Sequence, residues 1–164
     1  MSIAAVVLAA GEASRFGTPK QRLLLPEVLE RLALSPVDDV VVVAGAHTLE
    51  TPARVVTCAG WKRGPGASLA SGLEELDEGV EAAVVVLADG PDLAPEAVAR
   101  VIASWRAEGG ALVAASYGGE RGHPLLVART AWDTIPDAGL RELEARRVPC
   151  DDLGPPGDVD APGD

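Results

Sequence analysis

Short runs of consecutive apolar residues, separated by segments long enough to form a helix, constrain the fold most strongly. A continuous apolar run that ends at glycine or proline is typical of a strand buried on both faces. Alternation of such strands with helical segments predicts βαβ units, right-handed crossovers and a mainly parallel sheet. The chain is therefore predicted to be an α/β protein. The clearest runs are residues 3–8, 40–44, 82–88 and 111–115.

The segments between these strands predict the remaining elements. Helices are expected at 26–34, begun by Pro26, at 68–76, at 95–107, closed by Gly109-Gly110, and over 128–147 in two pieces split near Pro136. Shorter strands are expected at 53–56 and 123–127. Since proline has no N–H group to donate to a neighbouring strand, Pro124 predicts that the second of these strands lies at a sheet edge. The Gly/Pro/Asp-rich residues 153–164 are expected to lack regular structure.

Length and composition favour one domain over residues 1–164 with an Ala/Val/Leu core. The chain is 48% hydrophobic but only 3% aromatic, and its net charge is -11. That charge argues against non-specific nucleic-acid binding, which needs a basic surface. The two cysteines, Cys58 and Cys150, have no metal-type or redox-type spacing and predict free thiols. No apolar run approaches the roughly 18–20 residues of a membrane helix, and no secretory signal is seen, so a cytoplasmic protein is expected.

The loop after the first strand, residues 9–20, has the chemistry of a phosphate-binding segment. Ala9, Ala10 and Gly11 carry no bulk, so their backbone N–H groups can approach a phosphate closely. Arg15 offers a planar fork to phosphate oxygens, and Lys20 offers a compact charge. The loop is neither a Walker A loop nor a G-x-G-x-x-G dinucleotide fingerprint.

Asp89 ends the strongest strand signal and is predicted to face the same cleft. Ligands of parallel sheets bind beyond the carboxyl ends of the strands, where both this residue and the 9–20 loop are expected. A carboxylate beside triphosphate oxygens suits Mg²⁺. The alternative is an aspartate that only shapes a turn or caps a helix.

The ordered motifs of the chain closely resemble those of the MobA-like nucleotidyltransferases. The loop reads Leu-Ala-Ala-Gly at 8–11, with Ser14, Arg15, Gly17 and Lys20 behind it. The later matches are Trp-x-x-Gly-x-x-x-Ser-Leu-x-x-Gly-Leu at 61–73, Leu-Ala-Asp-x-Pro at 87–91, Arg-Gly-His-Pro at 121–124, Asp-x-Gly-x-Arg at 137–141 and Asp-Val-Asp-x-Pro-x-Asp at 158–164. The resemblance covers essentially the whole chain.

This resemblance implies a three-layer, Rossmann-like nucleotide-diphospho-sugar transferase fold and an Mg²⁺-dependent transfer of a nucleoside monophosphate. The Leu-Ala-Ala-Gly loop is similar to that of the CTP:molybdopterin cytidylyltransferases, whereas the guanylyltransferase branch tends towards Leu-Ala-Gly-Gly. The implied substrates are an NTP, with CTP favoured, and a molybdopterin-type phosphorylated acceptor, with pyrophosphate released. The implied protein partner is a molybdoenzyme or its maturation factor.

The candidate site residues fall into three groups, each with a plainer alternative. For the nucleotide they are Ala9, Ala10, Gly11, Arg15, Lys20 and Ser68, with Arg15 and Lys20 also stabilising the developing charge; for the acceptor, Trp61, Ser71 and His123; for the metal, Asp89, then Asp160, then Asp158. The alternatives are helix capping for the two serines, a structural role for the histidine and solvated charge for the tail aspartates.

The departures from the family keep other functions open. After Lys20 the chain lacks the usual Gly-x-Pro-Leu-Leu segment, Cys58-Ala59 replaces Asn-Pro, and relatives usually add a helix beyond the position of Asp164. One alternative is transfer to another phosphorylated acceptor, such as a phosphosugar, phosphoalcohol or phospholactate, with GTP as donor. Another is a non-catalytic protein that binds nucleotide or cofactor. A Rossmann oxidoreductase is disfavoured because its glycine fingerprint is absent.

Overall fold

A computed structural model describes residues 2–9, 20–45, 51 and 53–157 of the chain, and the strands of this part form one seven-stranded sheet. The strands are β1 (Ser2–Ala9), β2 (Asp39–Ala44), β3 (Arg54–Thr57), β4 (Val80–Leu87), β5 (Leu112–Tyr117), β6 (Glu120–Ala128) and β7 (Arg146–Pro149). Their order in the sheet is β3-β2-β1-β4-β6-β5-β7. The α-helices are α1 (Lys20–Ala33), α2 (Pro65–Glu74) and α3 (Pro95–Glu108), and the 3₁₀ helices are Trp61–Arg63 and Arg129–Thr134.

The prediction of a mainly parallel α/β sheet is confirmed. β1 pairs in parallel with β2 and β4, β2 pairs in parallel with β3, and β5 pairs in parallel with β7. Only β6 runs antiparallel, between β4 and β5. No helix in the described part of the chain is long and apolar enough to cross a membrane.

Helices cover both faces of the sheet, which makes three layers. Along β1, Ala5 and Val7 belong to the core shared with α1 and α3, whereas Ala4 and Val6 belong to the core shared with α2. Because neighbouring side chains of a strand point to opposite faces, every residue of such a strand must be apolar. This explains why the predicted strands read as unbroken runs rather than as alternating patterns.

The first helix begins six residues earlier than predicted, and Pro26 lies inside it rather than at its start. A proline in a helix interior costs about 3 kcal/mol because it removes a hydrogen bond and crowds the preceding turn. Leu25, Val28 and Leu32 are each at most 1% exposed in this helix. Burying such side chains contributes about 1.5–3 kcal/mol each, which offsets the cost of the proline.

The prediction that residues 123–127 form an edge strand is wrong, since β6 lies inside the sheet. The register of β6 with β5 shifts between Ala114 and Ser116, so Pro124 falls between the pairs Ala114↔Leu125 and Ser116↔Arg121. On the other side, the pairing with β4 stops at Val85↔Leu125. Proline is tolerated here because a bulge does not require its missing N–H group.

The second predicted helical piece within 128–147 is also wrong. Arg129–Thr134 is a 3₁₀ helix, but the chain then turns irregularly and enters β7 at Arg146. Gly139 has φ +101°, a left-handed conformation that a helix interior excludes. A smaller difference is that α2 begins at Pro65 instead of residue 68. Residues 153–157 lack helix and strand, as predicted.

We expect Gly72→Ala to destabilise the protein by pressing α2 away from the sheet. A Cβ at Gly72 would lie 2.7 Å from Val43 Cγ2 and 2.8 Å from Val6 Cγ1. Valine side chains are stiff, so overpacking costs of about 1–3 kcal/mol outweigh the gain of about 1 kcal/mol from alanine's helix propensity. Urea unfolding should show the loss. Gly79→Ala is the matched control because nothing lies within 4 Å of a Cβ there; equal stability of both variants would contradict this packing.

Candidate active site

A cavity of about 460 Å³ lies where β1 and β4 end, beside the start of α2. Its walls come from the ends of these strands, from β6 and from the loop that follows the second 3₁₀ helix. The lining residues are Leu8, Pro65, Leu69, Val85, Leu87, Arg121, Gly122, His123, Leu125, Ala138, Gly139, Leu140 and Arg141. An apolar cavity of this size with a few polar groups is typical of a small-molecule site.

The loop that closes one wall is held by bonds to its backbone carbonyls. The guanidinium of Arg121 donates to Leu143 O at 2.5 Å and to Leu140 O at 3.0 Å. Burial lowers the pKa of Arg121. From the other side, Gly66 N–H donates to Asp137 O at 2.8 Å. Residues 137–143 are therefore fixed against both β6 and α2, and this fixes the cavity wall.

His123 lies in the cavity wall as a neutral imidazole. The pKa of His123 is lowered to about 4, chiefly because the side chain is buried; the negative charge of Asp89 raises this pKa and the positive charge of Arg121 lowers it. The backbone oxygen of His123 accepts a hydrogen bond from Tyr117 Oη at 2.7 Å. Burial raises the pKa of Tyr117 to about 12, so its hydroxyl stays protonated and can donate. At neutral pH His123 can therefore form hydrogen bonds but cannot supply a positive charge.

Asp89 sits in the turn that follows β4, next to this cavity. Ala88 N–H donates to Leu8 O at 3.0 Å, which extends the β1–β4 pairing to the turn, and Gly90 N–H closes the turn onto Leu87 O at 3.2 Å. Asp89 is half-buried, and its charge acts on His123, so the two side chains are near one another. The carboxylate therefore lies close to the cavity at the carboxyl edge of the sheet.

The C-terminal part of the chain returns to the same turn. Asp92 N–H donates to Pro156 O at 2.8 Å, and a Cβ at Gly157 would lie 2.7 Å from Asp92 Oδ2. Asp152 is bound through both carboxylate oxygens by Arg100 of α3, at 2.7 and 2.8 Å. This bidentate contact lowers the pKa of Asp152 and raises that of Arg100. Asp158 and Asp160 themselves lie outside the described residues.

Three of the six predicted nucleotide-binding residues lie outside the described part of the chain. Ala9 ends β1 and is 3% exposed. The structure does not describe Ala10, Gly11 and Arg15, and it describes only the backbone of Lys20, at the start of α1.

The serines and Trp61 occupy different surroundings from His123. Gly64 is the N-cap of α2, so the capping role considered for Ser68 and Ser71 is wrong; Ser68 is buried within the helix. Ser71 Oγ donates to Ala67 O of the same helix at 3.3 Å. Trp61 packs against the α2-side core, with Lys62 Nζ 5.6 Å from its ring centroid. Of the three residues predicted for the acceptor, only His123 lines the cavity.

Two further residues of this site, Arg121 and Arg141, were given no role from the sequence. Both lie inside motifs that carry the family resemblance, Arg-Gly-His-Pro and Asp-x-Gly-x-Arg, which was the only signal available. Arg141 is exposed and lines the cavity.

The donor chemistry at the Asp89 turn fits a hard divalent cation, although the described residues do not complete a site. Mg²⁺ prefers carboxylate oxygens, which Asp89 supplies. Within the described ranges, no group of three or more His, Cys, Asp or Glu side chains could hold a metal ion. Further carboxylates would have to come from residues outside the described ranges.

Comparisons with known proteins agree with this arrangement. Residues 5–149 match the family described as MobA-like NTP transferase domain. A curated relative, the probable molybdenum cofactor guanylyltransferase of Chloroflexus aggregans, is 36% identical over 129 residues, which are 71% of this chain and 60% of that protein. The matched region thus spans less than two thirds of the curated relative's length.

Solved structures show the same fold. The Rv0371c homologue from Mycobacterium sp. strain JC1 has a TM-score of 0.80 at 28% identity, covering 97% of this chain and 90% of that one. Rv0371c of Mycobacterium tuberculosis H37Rv, in complex with manganese, has a TM-score of 0.78 at 24% identity, covering 98% and 94%. The motifs at the carboxyl edge of the sheet, the order of its strands and the match over residues 5–149 lead to one conclusion: the chain belongs to the MobA-like NTP transferase family.

Proposed function

We propose that the protein transfers CMP from CTP to the terminal phosphate of a molybdopterin-type acceptor and releases pyrophosphate. The observation that carries this proposal is the cavity at the ends of β1 and β4, which adjoins the Asp89 turn. In the sequence, β1 leads directly into the predicted phosphate-binding segment. The name of the curated relative supports a molybdenum-cofactor pterin as the acceptor.

The reaction requires the protein to align the two substrates and to neutralise charge, and it requires no covalent enzyme intermediate. An oxygen of the acceptor phosphate attacks the α-phosphorus of the nucleotide and forms a new P–O bond. The bond from this phosphorus to the bridging oxygen breaks, and pyrophosphate leaves with the electron pair. The acceptor phosphate is already ionised at neutral pH, so no general base is required. Backbone amides of residues 9–11 with Arg15 and Lys20 hold the triphosphate and stabilise the charge that develops.

Asp89 would hold Mg²⁺ together with Asp160 or Asp158 of the C-terminal segment. The bound cation would neutralise triphosphate charge at the α-phosphorus. Support comes from Pro156 and Gly157, which lie against Asp92 in the turn that carries Asp89. A divalent ion is also present in the manganese complex of Rv0371c.

GTP is the second candidate donor, because the curated relative is named a guanylyltransferase. The Leu-Ala-Ala-Gly sequence at residues 8–11 is the feature that favours CTP. The two donors share the same triphosphate contacts and differ only at the base. A direct competition between them therefore decides the donor without testing the rest of the proposal.

The proposal is tested by incubating the protein with each NTP, Mg²⁺ and molybdopterin while pyrophosphate is measured. We expect release with CTP, or with GTP if the second candidate is right, and none above background for Lys20→Ala. Release no greater than that of Lys20→Ala with every NTP would refute the transferase. Tight NTP binding by calorimetry without turnover would then favour a non-catalytic binder, and release only with a phosphosugar would change the acceptor.

A further inference from the structure

Among the residues that the structure describes, the cavity offers one positively charged side chain that makes no bond within the protein, that of Arg141. Arg121 is bound to the carbonyls of Leu140 and Leu143. Arg141 lines the same cavity, is exposed, and makes no hydrogen bond or ion pair with the chain in the region that the structure describes. An anionic group that enters this cavity can therefore bind the Arg141 guanidinium without breaking a bond within the described part of the chain.

The nearby start of α2 does not compete for such a group. The first residue of the helix, Pro65, has no N–H group, and Gly66 N–H is bound to Asp137 O at 2.8 Å. The N–H groups of Ala67 and Ser68 are both directed to Gly64 O, at 3.2 and 3.4 Å. A helix N-terminus binds anions only through unsatisfied N–H groups, and these are satisfied.

The backbone that carries Arg141 is held in place by contacts within the protein, without a ligand. A Cβ at the preceding Gly139 would lie 3.1 Å from Pro65 Cγ, so the loop backbone packs closely on the start of α2. The neighbouring Leu140 is 6% exposed, and its carbonyl is held by Arg121. A fixed backbone on both sides of the wall lowers the entropy that ordering the loop would otherwise cost on binding.

We propose that Arg141 binds the phosphomonoester end of the acceptor at the mouth of the cavity, while the apolar walls hold the uncharged part of the same molecule. The pterin identity of the acceptor rests on the proposed function. The binding of a phosphate by Arg141 does not depend on it. A planar guanidinium bonds two phosphate oxygens through parallel N–H groups of fixed geometry, whereas an ammonium group acts as a point charge without that geometry. The apolar lining of Leu69, Val85 and Leu125 suits a flat ring system.

The test compares phosphorylated and unphosphorylated probes by fluorescence titration. The probes are 6-hydroxymethylpterin monophosphate and 6-hydroxymethylpterin, with glucose 1-phosphate and glucose as a non-pterin pair measured by calorimetry. Wild-type protein should prefer the phosphorylated pterin by about 10-fold or more, since a hydrogen bond to a charged group contributes roughly that factor. Arg141→Ala should reduce the preference to near 1-fold, and Arg141→Lys should restore part of it. CTP affinity should not change.

Arg106→Ala is the matched control, because Arg106 is an exposed arginine of α3 on the opposite face of the sheet. It removes the same charge and should keep the full preference for phosphate. The inference is overturned if Arg141→Ala weakens both probes of a pair equally, if it weakens CTP instead, or if neither phosphorylated probe binds better than its partner. Arg141-dependent binding of glucose 1-phosphate without pterin binding would support the inference and refute the pterin acceptor. If Arg141→Ala still forms pterin dinucleotide with an unchanged KM for the acceptor, the pterin acceptor is supported and the role of Arg141 is refuted.

Discussion

Gly66→Ala should remove acceptor binding and destabilise the fold together. A Cβ at Gly66 would lie 1.7 Å from Pro136 O and 2.8 Å from Pro136 C, and these are backbone atoms that no rotamer change can move. Residues 136–141 must therefore shift, and the bond from Gly66 N–H to Asp137 O is lost with them. We expect a loss of about 3 kcal/mol in the free energy of unfolding, at the upper end of overpacking costs.

The same variant should weaken acceptor binding without weakening CTP binding. The displaced loop carries Arg141 and one wall of the cavity, so affinity for the phosphorylated pterin should fall at least about tenfold. The 9–20 loop follows a different strand, so CTP affinity should hold in the fraction that remains folded. Gly79→Ala serves again as the control. A Gly66→Ala protein with wild-type stability and wild-type acceptor binding would show that the contact between α2 and this loop is wrong.

Asp89→Asn should reduce turnover about 100- to 1,000-fold while leaving the fold intact, the range seen when one electrostatic contact to a transition state is lost. Asparagine keeps the size of the side chain and its ability to accept hydrogen bonds, but it removes the negative charge that a divalent cation requires. The loss should appear in kcat with either CTP or GTP. Binding of Mn²⁺ in the presence of CTP, followed by electron paramagnetic resonance, should weaken in parallel.

The control for this variant is Asp133→Asn. Asp133 is exposed in the second 3₁₀ helix, which follows β6 at the opposite end of the sheet from the Asp89 turn. It changes the net charge by the same amount and should leave turnover and Mn²⁺ binding at wild-type values. Unchanged turnover in Asp89→Asn would mean that this aspartate only shapes the turn after β4.

The layout of the sheet could be predicted because its information is local. The central residues of β1, β2, β4 and β5 are buried on both faces, so each of these strands contains a continuous apolar run that can be recognised in the sequence. The place of β6 could not be predicted in this way. Proline normally signals an edge, and the register shift that admits Pro124 to an inner strand depends on its pairing with β5.

The structure of the cavity wall could not be predicted either, because it also depends on contacts between residues that are distant in the sequence. Residues 136–143 read as helical, yet the carbonyls of Leu140 and Leu143 bind Arg121, about twenty residues earlier in the chain. Long-range bonds of this kind override local propensity. Asp89, His123 and Arg141 all lie in short motifs. A role for Arg141 nevertheless emerges only when the partners of Arg121 are known.

The central claim is that one cleft joins a nucleotide to a phosphorylated pterin. The most direct measurement is the product of a reaction with equal CTP and GTP, Mg²⁺ and molybdopterin, identified by mass spectrometry together with ³¹P resonance. We expect pterin cytosine dinucleotide and pyrophosphate in equal amounts, and Asp89→Asn should form both about 100- to 1,000-fold more slowly. Consumption of nucleotide to orthophosphate, or no nucleotide joined to the pterin from either donor, would contradict it.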